Sequence, residues 1–255
     1  SYTPAMAEDA SFFKTMREFL NKPKNVKPTS AFPSVKRDIV RTKHDVTELI
    51  WFGHSSYLLQ HAGQTILVDP VFSGTAAPVS CMVRAFKGAD AYTVADMPAI
   101  DILLITHDHY DHLDYKTILA LKNKVKYVVC SLGVGSHLEH WGYDAKKITE
   151  LDWWERTEVG GVTITAAPAQ HFSGRGIKDR NGTLWSSMHF HGARHSFFFG
   201  ADSGLTPEYN EIGQRLGPFD VVALEIGAFH PSWGDIHLGP VNALTARVML
   251  GSGMI

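Results

Sequence analysis

Short apolar stretches separated by glycine, proline and charged residues recur along this chain. Several alternate apolar with polar positions, as in Val162-Thr-Ile-Thr-Ala-Ala167, and this period of two is typical of strands with one buried face. The pattern predicts strands at Val46 to Phe52, Tyr57 to Gln60, Thr65 to Val68, Ile100 to Ile105, Lys126 to Cys130, Arg156 to Val159, Val162 to Ala167, Leu184 to Phe190, His195 to Phe199 and Val221 to Ile226. It predicts helices at Lys14 to Leu20, Tyr115 to Leu121, Gly133 to Trp141, Pro207 to Leu216 and Val241 to Leu250.

This mixture of strands and helices, without an obvious internal repeat, indicates a single α/β domain. At 255 residues and 44% hydrophobic content, one large core is feasible. No apolar run reaches the roughly 18 residues needed to span a bilayer. The two cysteines, Cys81 and Cys130, have no zinc-type spacing and give no disulfide framework. The hydrophobic core is therefore expected to hold the domain together.

Residues 1 to 45 differ from the rest in charge. Between Lys14 and Lys43 there are nine Lys or Arg and two acids, although the formal net charge of the chain is −2. Several prolines interrupt this stretch, which favours an extended arm. We predict an arm at residues 1 to 45 and one folded domain at 46 to 255. The arm is either solvated or attracted to anionic phospholipid headgroups, at up to about 1 kcal/mol per basic residue. The net charge argues against a nucleic-acid partner.

The run Thr106-His107-Asp108-His109-Tyr110-Asp111-His112 follows the predicted strand that ends at Ile105. In extended backbone, side chains two residues apart point to the same side, so His107, His109 and Asp111 can converge. One isolated histidine would be more simply explained as a solvated or capping residue. Clustered imidazoles and carboxylates instead suit Zn²⁺, Fe or Mn, and four such side chains leave room for a second ion. The run therefore predicts a metal site at the end of a strand.

The spacing His-x-His-x-Asp-His after an apolar strand resembles the metallo-β-lactamase superfamily. Further segments match that family in chain order: Pro168-Ala-Gln-His171-Phe-Ser-Gly-Arg, Phe199-Gly-Ala-Asp202, and Asp235-Ile-His237 before a predicted helix. Together with Trp51-Phe-Gly-His54-Ser-Ser and Thr65-Ile-Leu-Val-Asp69-Pro, they are similar to one branch of it. That branch contains N-acylphosphatidylethanolamine-hydrolysing phospholipase D and the ascorbate-phosphate lactonases. The resemblance covers about residues 46 to 250.

The resemblance implies an αββα sandwich of two mixed β-sheets flanked by helices, with a binuclear metal site. It implies that one ion is held by His107, His109 and His171, the other by Asp111, His112 and His237, with Asp202 bridging them. We expect two divalent ions, with Zn²⁺ first and Mn²⁺ or Fe²⁺ as alternatives. Such a pair can share a water and lower its pKa toward about 7. The implied reaction is hydrolysis by a bridging hydroxide.

Three hypotheses for the function follow. The first is a phosphodiesterase acting on N-acylphosphatidylethanolamine-type diesters, with Asp111 and Asp202 as its catalytic carboxylates. The alternative is a lactonase or carboxyl-ester hydrolase on a small anionic substrate, because the same two metals can attack a carbonyl carbon. The third is a non-hydrolytic di-iron protein or a silent metal-binding scaffold. It is disfavoured because all seven ligand positions are present, and because related oxygen-reducing proteins commonly have glutamate where this chain has His109.

Four further residues are candidates for supporting the metals or contacting substrate. Asp69 is either a partner of a metal-binding histidine or a strand-end cap. His54 is either a turn residue near the site or a buried structural histidine. Arg175 is either an anion clamp or an exposed loop arginine. His230 is a cleft candidate because it lies on a loop close to His237 in the sequence.

Neither terminus matches what the resemblance leads us to expect. The chain begins at Ser1 and ends soon after the predicted helix that follows His237, where relatives usually continue. We therefore expect that the C-terminus is shortened or that this member lacks a wall of its site, and a removed signal or anchor is equally compatible with the sequence. The compartment, cytoplasm or cell envelope, and the oligomeric state are left open.

Overall fold

Two β-sheets packed face to face form the centre of the structure. The computed structural model describes residues 26–43, 45–78, 83–176, 178–227 and 231–251, together with the single positions 4, 17 and 21. The first sheet has, in spatial order, β1 (Glu48–Gly53), β2 (Ser56–His61), β3 (Gln64–Val68), β4 (Ile100–Ile105), β5 (Val125–Ser131) and β6 (Ile148–Leu151). The second sheet has, also in spatial order, β7 (Arg156–Val159), β8 (Val162–Ala167), β9 (Ser187–His191), β10 (Ser196–Phe199) and β11 (Val221–Ala223).

Helices cover the outer faces of both sheets. Those found in the described ranges are the α-helices α1 (Tyr115–Leu121), α2 (Gly135–His140), α3 (Glu208–Leu216) and α4 (Gly239–Met249), and 3-10 helices at Val94–Asp96, Ala145–Lys147 and Pro231–Ile236. Ile118 and Leu138, from α1 and α2, pack in the core on the first sheet. Ile212 and Ala246, from α3 and α4, pack in the core on the second sheet. The predicted αββα sandwich of two mixed sheets is confirmed.

Alternate side chains of one strand enter different cores. On β10, Phe197 and Phe199 belong to the core between the two sheets, whereas Phe198 belongs to the core under α3 and α4. None of the three is more than 3% exposed. A strand buried on both faces has no polar face, which is why this segment of the sequence is continuously apolar.

Several predicted boundaries shift, and one strand was missed. Strand β9 begins at Ser187 rather than Leu184, because the Leu184 and Ser186 N–H groups donate to Leu132 and Thr106 of the first sheet's loops. Strand β11 ends at Ala223 rather than Ile226, since its partner β10 ends at Phe199 in register with Ala223. Strand β6 is a short edge strand with alternating polar residues, and the sequence pattern gave no signal strong enough to predict it.

Residues 26–43 of the predicted arm contain no helix or strand within that described range. The Phe32 N–H donates to the Lys87 carbonyl at 2.9 Å, and Arg41 forms an ion pair with Asp101 at 2.6 Å. Lys36 pairs with Asp96 at 2.8 Å. Some of the arm's positive charge is therefore already compensated by acids of the domain. The predicted helix at Lys14 to Leu20 lies outside the described residues except for Arg17, and the boundary at residue 45 stays a prediction.

None of the helices in the described part of the chain is long and apolar enough to cross a membrane.

Truncating Phe190 tests the core between the sheets. Phe190 on β9 is 0% exposed and packs edge-on against Phe199, with ring centroids 5.2 Å apart. We expect Phe190→Ala to lower the free energy of unfolding by about 3–5 kcal/mol, because the cavity removes packing contacts as well as buried area. Urea unfolding measures this change. Val241→Ala, at a side chain that is 74% exposed, is the control and should change stability by less than about 0.5 kcal/mol. Equal unfolding midpoints for the two variants would contradict the assignment.

Candidate metal centre

Side chains of metal-ligand type converge at one edge of the sandwich, where strands of both sheets end. Strands β3 to β6 are parallel, and β1 runs in their direction because it is separated from β3 by the antiparallel β2. In the second sheet, β8, β10 and β11 share one direction. The sequence-predicted residues follow these strand ends: His54 after β1, Asp69 after β3, the run His107 to His112 after β4, His171 after β8 and Asp202 after β10.

The first donor group consists of His107, His109, His171 and Asp202, each with one ligand atom within 4.8 Å of the others. His109 Nδ1 lies 3.0 Å from His107 Nε2 and 3.2 Å from His171 Nε2. The Asp202 carboxylate lies 3.6 Å from His171 Nε2. Since His171 and Asp202 come from one sheet and His107 and His109 from the other, this group joins the two sheets. Three imidazoles and a carboxylate are a donor set that suits Zn²⁺ and also Fe or Mn.

Two further donor groups adjoin the first, namely His54 with Asp111 and His112, and Asp202 with Glu225 and His237. Asp202 Oδ1 lies 3.3 Å from His112 Nε2, so its carboxylate stands next to all three groups. The structure thus brings the other six predicted ligands around Asp202. It places His237 in a group with Asp202 and Glu225 rather than with Asp111 and His112. The assignment of individual ions stays a prediction.

Asp69 contacts His112, one of the predicted metal-binding histidines. Its carboxylate lies 2.8 Å from His112 Nδ1 and accepts hydrogen bonds from the Thr106 N–H and hydroxyl at 2.8 and 2.5 Å. Asp69 and His112 are both 0% exposed. A carboxylate on Nδ1 orients the ring and leaves Nε2 directed at Asp202.

Glu225 has the same relation to His237. Its Oε2 lies 2.6 Å from His237 Nδ1, while Oε1 accepts from the N–H groups of Ser203 and Leu238 at 3.0 and 3.1 Å. Sequence reasoning missed Glu225, because it was taken as part of a strand that ends two residues earlier. A glutamate at the end of a short apolar strand, in the second sheet next to Asp202's strand, was the available signal.

Burial lowers the pKa of some histidines of the centre, whereas nearby carboxylates raise the pKa of another. Burial and the neighbouring imidazoles hold the pKa of His107 well below its usual value, and burial, against the opposing charge of Asp202, lowers the pKa of His171 to about 3. These rings are therefore neutral at neutral pH, the form that ligates metal. Burial would also lower the pKa of His112, but the carboxylates of Asp202 and Asp69 outweigh it and raise that pKa well above its usual value.

Two observations favour a divalent cation at this site. His112 Nε2 is buried and has no hydrogen-bond partner among the described residues, although Asp202 Oδ1 is 3.3 Å away. His109 Nδ1 faces two ring nitrogens, yet a ring nitrogen has either one N–H or one lone pair and cannot bond fully to both. The His171 Nδ1–H donates to the Ile236 carbonyl at 3.3 Å, which directs the lone pair of the neutral ring, on Nε2, toward the centre. A shared cation would satisfy these donor atoms.

A cavity of about 600 Å³ opens above the donor groups. His109, Asp111, His171, Asp202 and His237 line its polar floor. Its walls are largely apolar and include Trp51, Phe172, Leu224, Ile226 and Trp233. Trp51 and Ile226 are 65% and 64% exposed, which places them at the mouth. Volumes of this size accept drug-sized ligands, so a mostly apolar molecule with one polar group can reach the floor.

The remaining predicted residues fall in different places. His54 lines the cavity with a side chain that is 47% exposed, 3.3 Å from Asp111, so it is not a buried structural histidine. Arg175 is part-buried and lines a separate cavity, with Lys116 and Trp141 among its neighbours there. His230 lies outside the described residues.

Comparisons with known proteins agree with this geometry. The family model for the beta-lactamase superfamily domain matches residues 64–254. An uncharacterized protein of Mycobacterium tuberculosis is 39% identical over 234 residues, covering 90% of this chain and 62% of that protein. N-acyl-phosphatidylethanolamine-hydrolyzing phospholipase D 1 of Caenorhabditis elegans is 36% identical over 218 residues, covering 78% of this chain and 60% of that protein. The chain thus spans about three fifths of the length of these relatives.

Among solved structures, CmlA, a diiron beta-hydroxylase from Streptomyces venezuelae, is similar with a TM-score of 0.56 and 28% identity, covering 82% of this chain and 40% of that chain. The similar proteins therefore include one named for hydrolysis and one named for hydroxylation.

Gly204 provides a test of how closely the ligand loops must approach. A Cβ at this position would lie 1.6 Å from the Asp235 carbonyl and 3.0 Å from Gln170 Nε2. Gln170 precedes His171, and Asp235 lies two residues before His237. We expect Gly204→Ala to separate these loops and to weaken metal binding by about 10–100-fold, the usual effect of disturbing the groups that support ligands.

Metal titration of Gly204→Ala measures this effect. Gly227→Ala is the matched control, since a Cβ there meets nothing within 4 Å among the described residues, and its metal affinity should be unchanged. Wild-type affinity in Gly204→Ala would show that the loops tolerate separation.

Proposed function

This chain belongs to the beta-lactamase superfamily, and we propose from that premise that it is a metal-dependent hydrolase acting on a phospholipid-like phosphodiester. The observation that carries the proposal is the set of donor groups around Asp202 on the floor of a cavity with largely apolar walls. The floor suits a polar, anionic reacting group, and the walls suit the hydrocarbon attached to it. The similarity to the C. elegans phospholipase D supports the same substrate class.

We assign two divalent ions to the donor groups. His107, His109 and His171 would hold one, Asp111 and His112 with His237 the other, and Asp202 would lie between them. Two such ions supply Lewis acidity at a phosphoryl oxygen and lower the pKa of a water in the site. Zn²⁺ fits the histidine-rich donors, and Fe²⁺ or Mn²⁺ also fits them.

The chain's own residues orient these ligands and handle the proton. Asp69 binds Nδ1 of His112, and Glu225 binds Nδ1 of His237, so that Nε2 of each ring faces the centre. Asp111 lines the cavity with a side chain that is 39% exposed, and as an ionised carboxylate it would take a proton from the attacking water and then release that proton to the leaving oxygen. The apolar walls exclude water around the reacting group, which strengthens the electrostatic interactions there.

Two alternatives remain testable. A lactonase or carboxyl-ester hydrolase would use the same floor, but a small anionic substrate would leave the apolar walls without contacts. The similarity to CmlA supports an oxygen-activating di-iron protein as the second alternative. The first is distinguished by substrate, the second by dependence on Fe²⁺ and oxygen.

Metal analysis coupled to turnover tests the proposal directly. We expect about two Zn, Mn or Fe per chain in protein purified without added metal, and turnover of bis(p-nitrophenyl) phosphate that chelation removes and metal restores. An N-acylphosphatidylethanolamine in mixed micelles should be a better substrate than a small lactone. Chelator-sensitive lactone hydrolysis without diester turnover would support the lactonase instead, and oxygen consumption by the Fe²⁺ form alone would support the di-iron alternative.

Substituting Asp202 tests the central carboxylate. Burial would raise its pKa, but the charge of His112 outweighs burial and holds that pKa well below its usual value, so Asp202 is ionised. We expect Asp202→Ala to lower turnover by at least about 10–100-fold and to reduce the metal content, with the fold retained. Circular dichroism and elemental analysis check these outcomes. Asp45→Ala, at an exposed carboxylate, should behave as wild type. Normal turnover by Asp202→Ala would exclude a bridging role.

A further inference from the structure

Two ligand-bearing loops from different sheets grip each other beside the metal centre. One is the segment 107–113 after β4, and the other is the segment 171–176 after β8. We call their mutual contacts the clasp, formed by Asp108, Tyr110 and Leu113 of the first segment and by Gly174 and Arg175 of the second. None of the five is among the donor groups described above.

Arg175 makes the clasp from one side. Its Nη1 donates to the carbonyls of Asp108 and Leu113 at 2.7 and 2.8 Å. These carbonyls belong to residues on either side of the run His109 to His112, so one guanidinium nitrogen fixes the two ends of that run. Hydrogen bonds from a charged donor are about twice as strong as neutral ones.

Side chains of the first segment also bind the backbone of the second. The Tyr110 hydroxyl donates to the Arg175 carbonyl at 2.8 Å, and its ring lies under the guanidinium, 4.1 Å from Cζ. The Asp108 carboxylate, on a residue that is 1% exposed, accepts from the Gly174 N–H at 2.7 Å. Each segment therefore uses a side chain to bind the backbone of the other, which restrains both backbones rather than two flexible side-chain ends.

The second segment is also held by residues that follow it in the chain. The Asp179 carboxylate accepts from the N–H groups of Arg175 and Gly176 at 3.0 and 2.7 Å. Ser173 donates its hydroxyl to the Thr183 carbonyl at 2.6 Å. Restraint at Gly174 and Arg175 is thus passed along a rigid turn to His171, three residues before Gly174.

We propose that Arg175 is a positioning residue and that the clasp preorganises the first donor group by fixing His171 of one sheet against His107 and His109 of the other. This inference rests on the proposed function, because it assumes that these rings bind metal. Its physical basis is that ligands on two separate loops lose conformational freedom when a metal binds, and a clasp formed during folding removes that cost from binding.

The same contacts argue against Arg175 as an anion clamp for substrate. Arg175 is not among the described residues that line the cavity above the metal centre; it borders a separate cavity of about 470 Å³. Its Nη1 is already bonded to two carbonyls. Loss of Arg175 should therefore act on metal affinity and on kcat more than on KM.

Cobalt titration tests the clasp without requiring turnover. We expect Arg175→Ala to bind Co²⁺ about 10–100-fold more weakly than wild type, as when other groups that support ligands are removed, and to show an altered d–d absorption spectrum. Arg180→Ala is the matched control, because it also removes a guanidinium from this loop. The Arg180 guanidinium stacks on Phe172, with Cζ 5.1 Å from the ring centroid. The Co²⁺ affinity of Arg180→Ala should match wild type.

Chemical rescue separates positioning from general damage. The cavity beside Arg175 reaches the surface, so methylguanidinium should restore Co²⁺ affinity to Arg175→Ala by bonding the two carbonyls and stacking on Tyr110. Methylammonium can bond the carbonyls but has no planar group to stack, so it should restore less. Absence of rescue by methylguanidinium in a folded variant would contradict the proposal. Wild-type affinity in Arg175→Ala would overturn the proposal outright.

A conservative variant keeps the test decisive if Arg175→Ala fails to fold. Tyr110→Phe removes only the hydroxyl that donates to the Arg175 carbonyl, and we expect faster amide hydrogen exchange at residues 173–176 of the metal-free protein and a several-fold loss of Co²⁺ affinity. No change in either would contradict the clasp. Failure of the proposed function is distinguishable, because it would appear as wild-type protein that binds Co²⁺ normally yet hydrolyses none of the substrates.

Discussion

The arrangement of this molecule depends on one buried carboxylate. Asp202 is 6% exposed, and an ionised carboxylate in such a place is unstable unless positive charge or hydrogen-bond donors surround it. His112 and His171 lie within 3.6 Å of its oxygens. The raised pKa of His112 keeps that ring positive beside Asp202, whereas the neutral rings of His107 and His171 offer lone pairs that suit a cation. Asp69 orients the ring of His112, and Glu225 orients the ring of His237, each through Nδ1.

The two-sheet architecture is what allows so many polar groups to meet. Strands that run in the same direction end at the same edge, and their following loops collect side chains there while the strands remain apolar. The core between the sheets, with Phe190 and Phe199 among its members, fixes the spacing of the two edges. Small changes in that spacing would move His171 relative to His107, and the contact of Arg175 with Asp108 restrains the loops of the two sheets against such a movement.

Local patterns in the sequence predicted most of the strands and a metal site at the run after β4, because that run follows an apolar strand directly. The sandwich and the remaining ligands were implied by the resemblance to the superfamily, and His237 in fact follows a 3-10 helix rather than a strand. Contacts between distant segments were not predictable in this way. Glu225 supports His237 only because β11 ends where β10 ends, and a partner strand's length is invisible in the sequence of β11 itself. Arg175 was predicted to be an anion clamp or an exposed loop arginine. Its actual partners are backbone carbonyls, and a sequence does not indicate which carbonyls a side chain will bind. Strand β6 is defined by pairing with β5 rather than by its own apolar content.

Glu225 also bears on which chemistry this floor supports. It is near enough to Asp202 and His237 to be counted as a donor, and a carboxylate-rich site would favour iron. Both of its oxygens, however, are already engaged: Oε1 accepts from Ser203 and Leu238 N–H groups, and Oε2 faces His237 Nδ1 at 2.6 Å. A carboxylate so committed orients a ring rather than ligating metal. The remaining donors are rich in imidazole, which suits zinc, and the largely apolar walls above them fit the amphiphilic diester that we propose as substrate better than a small anion.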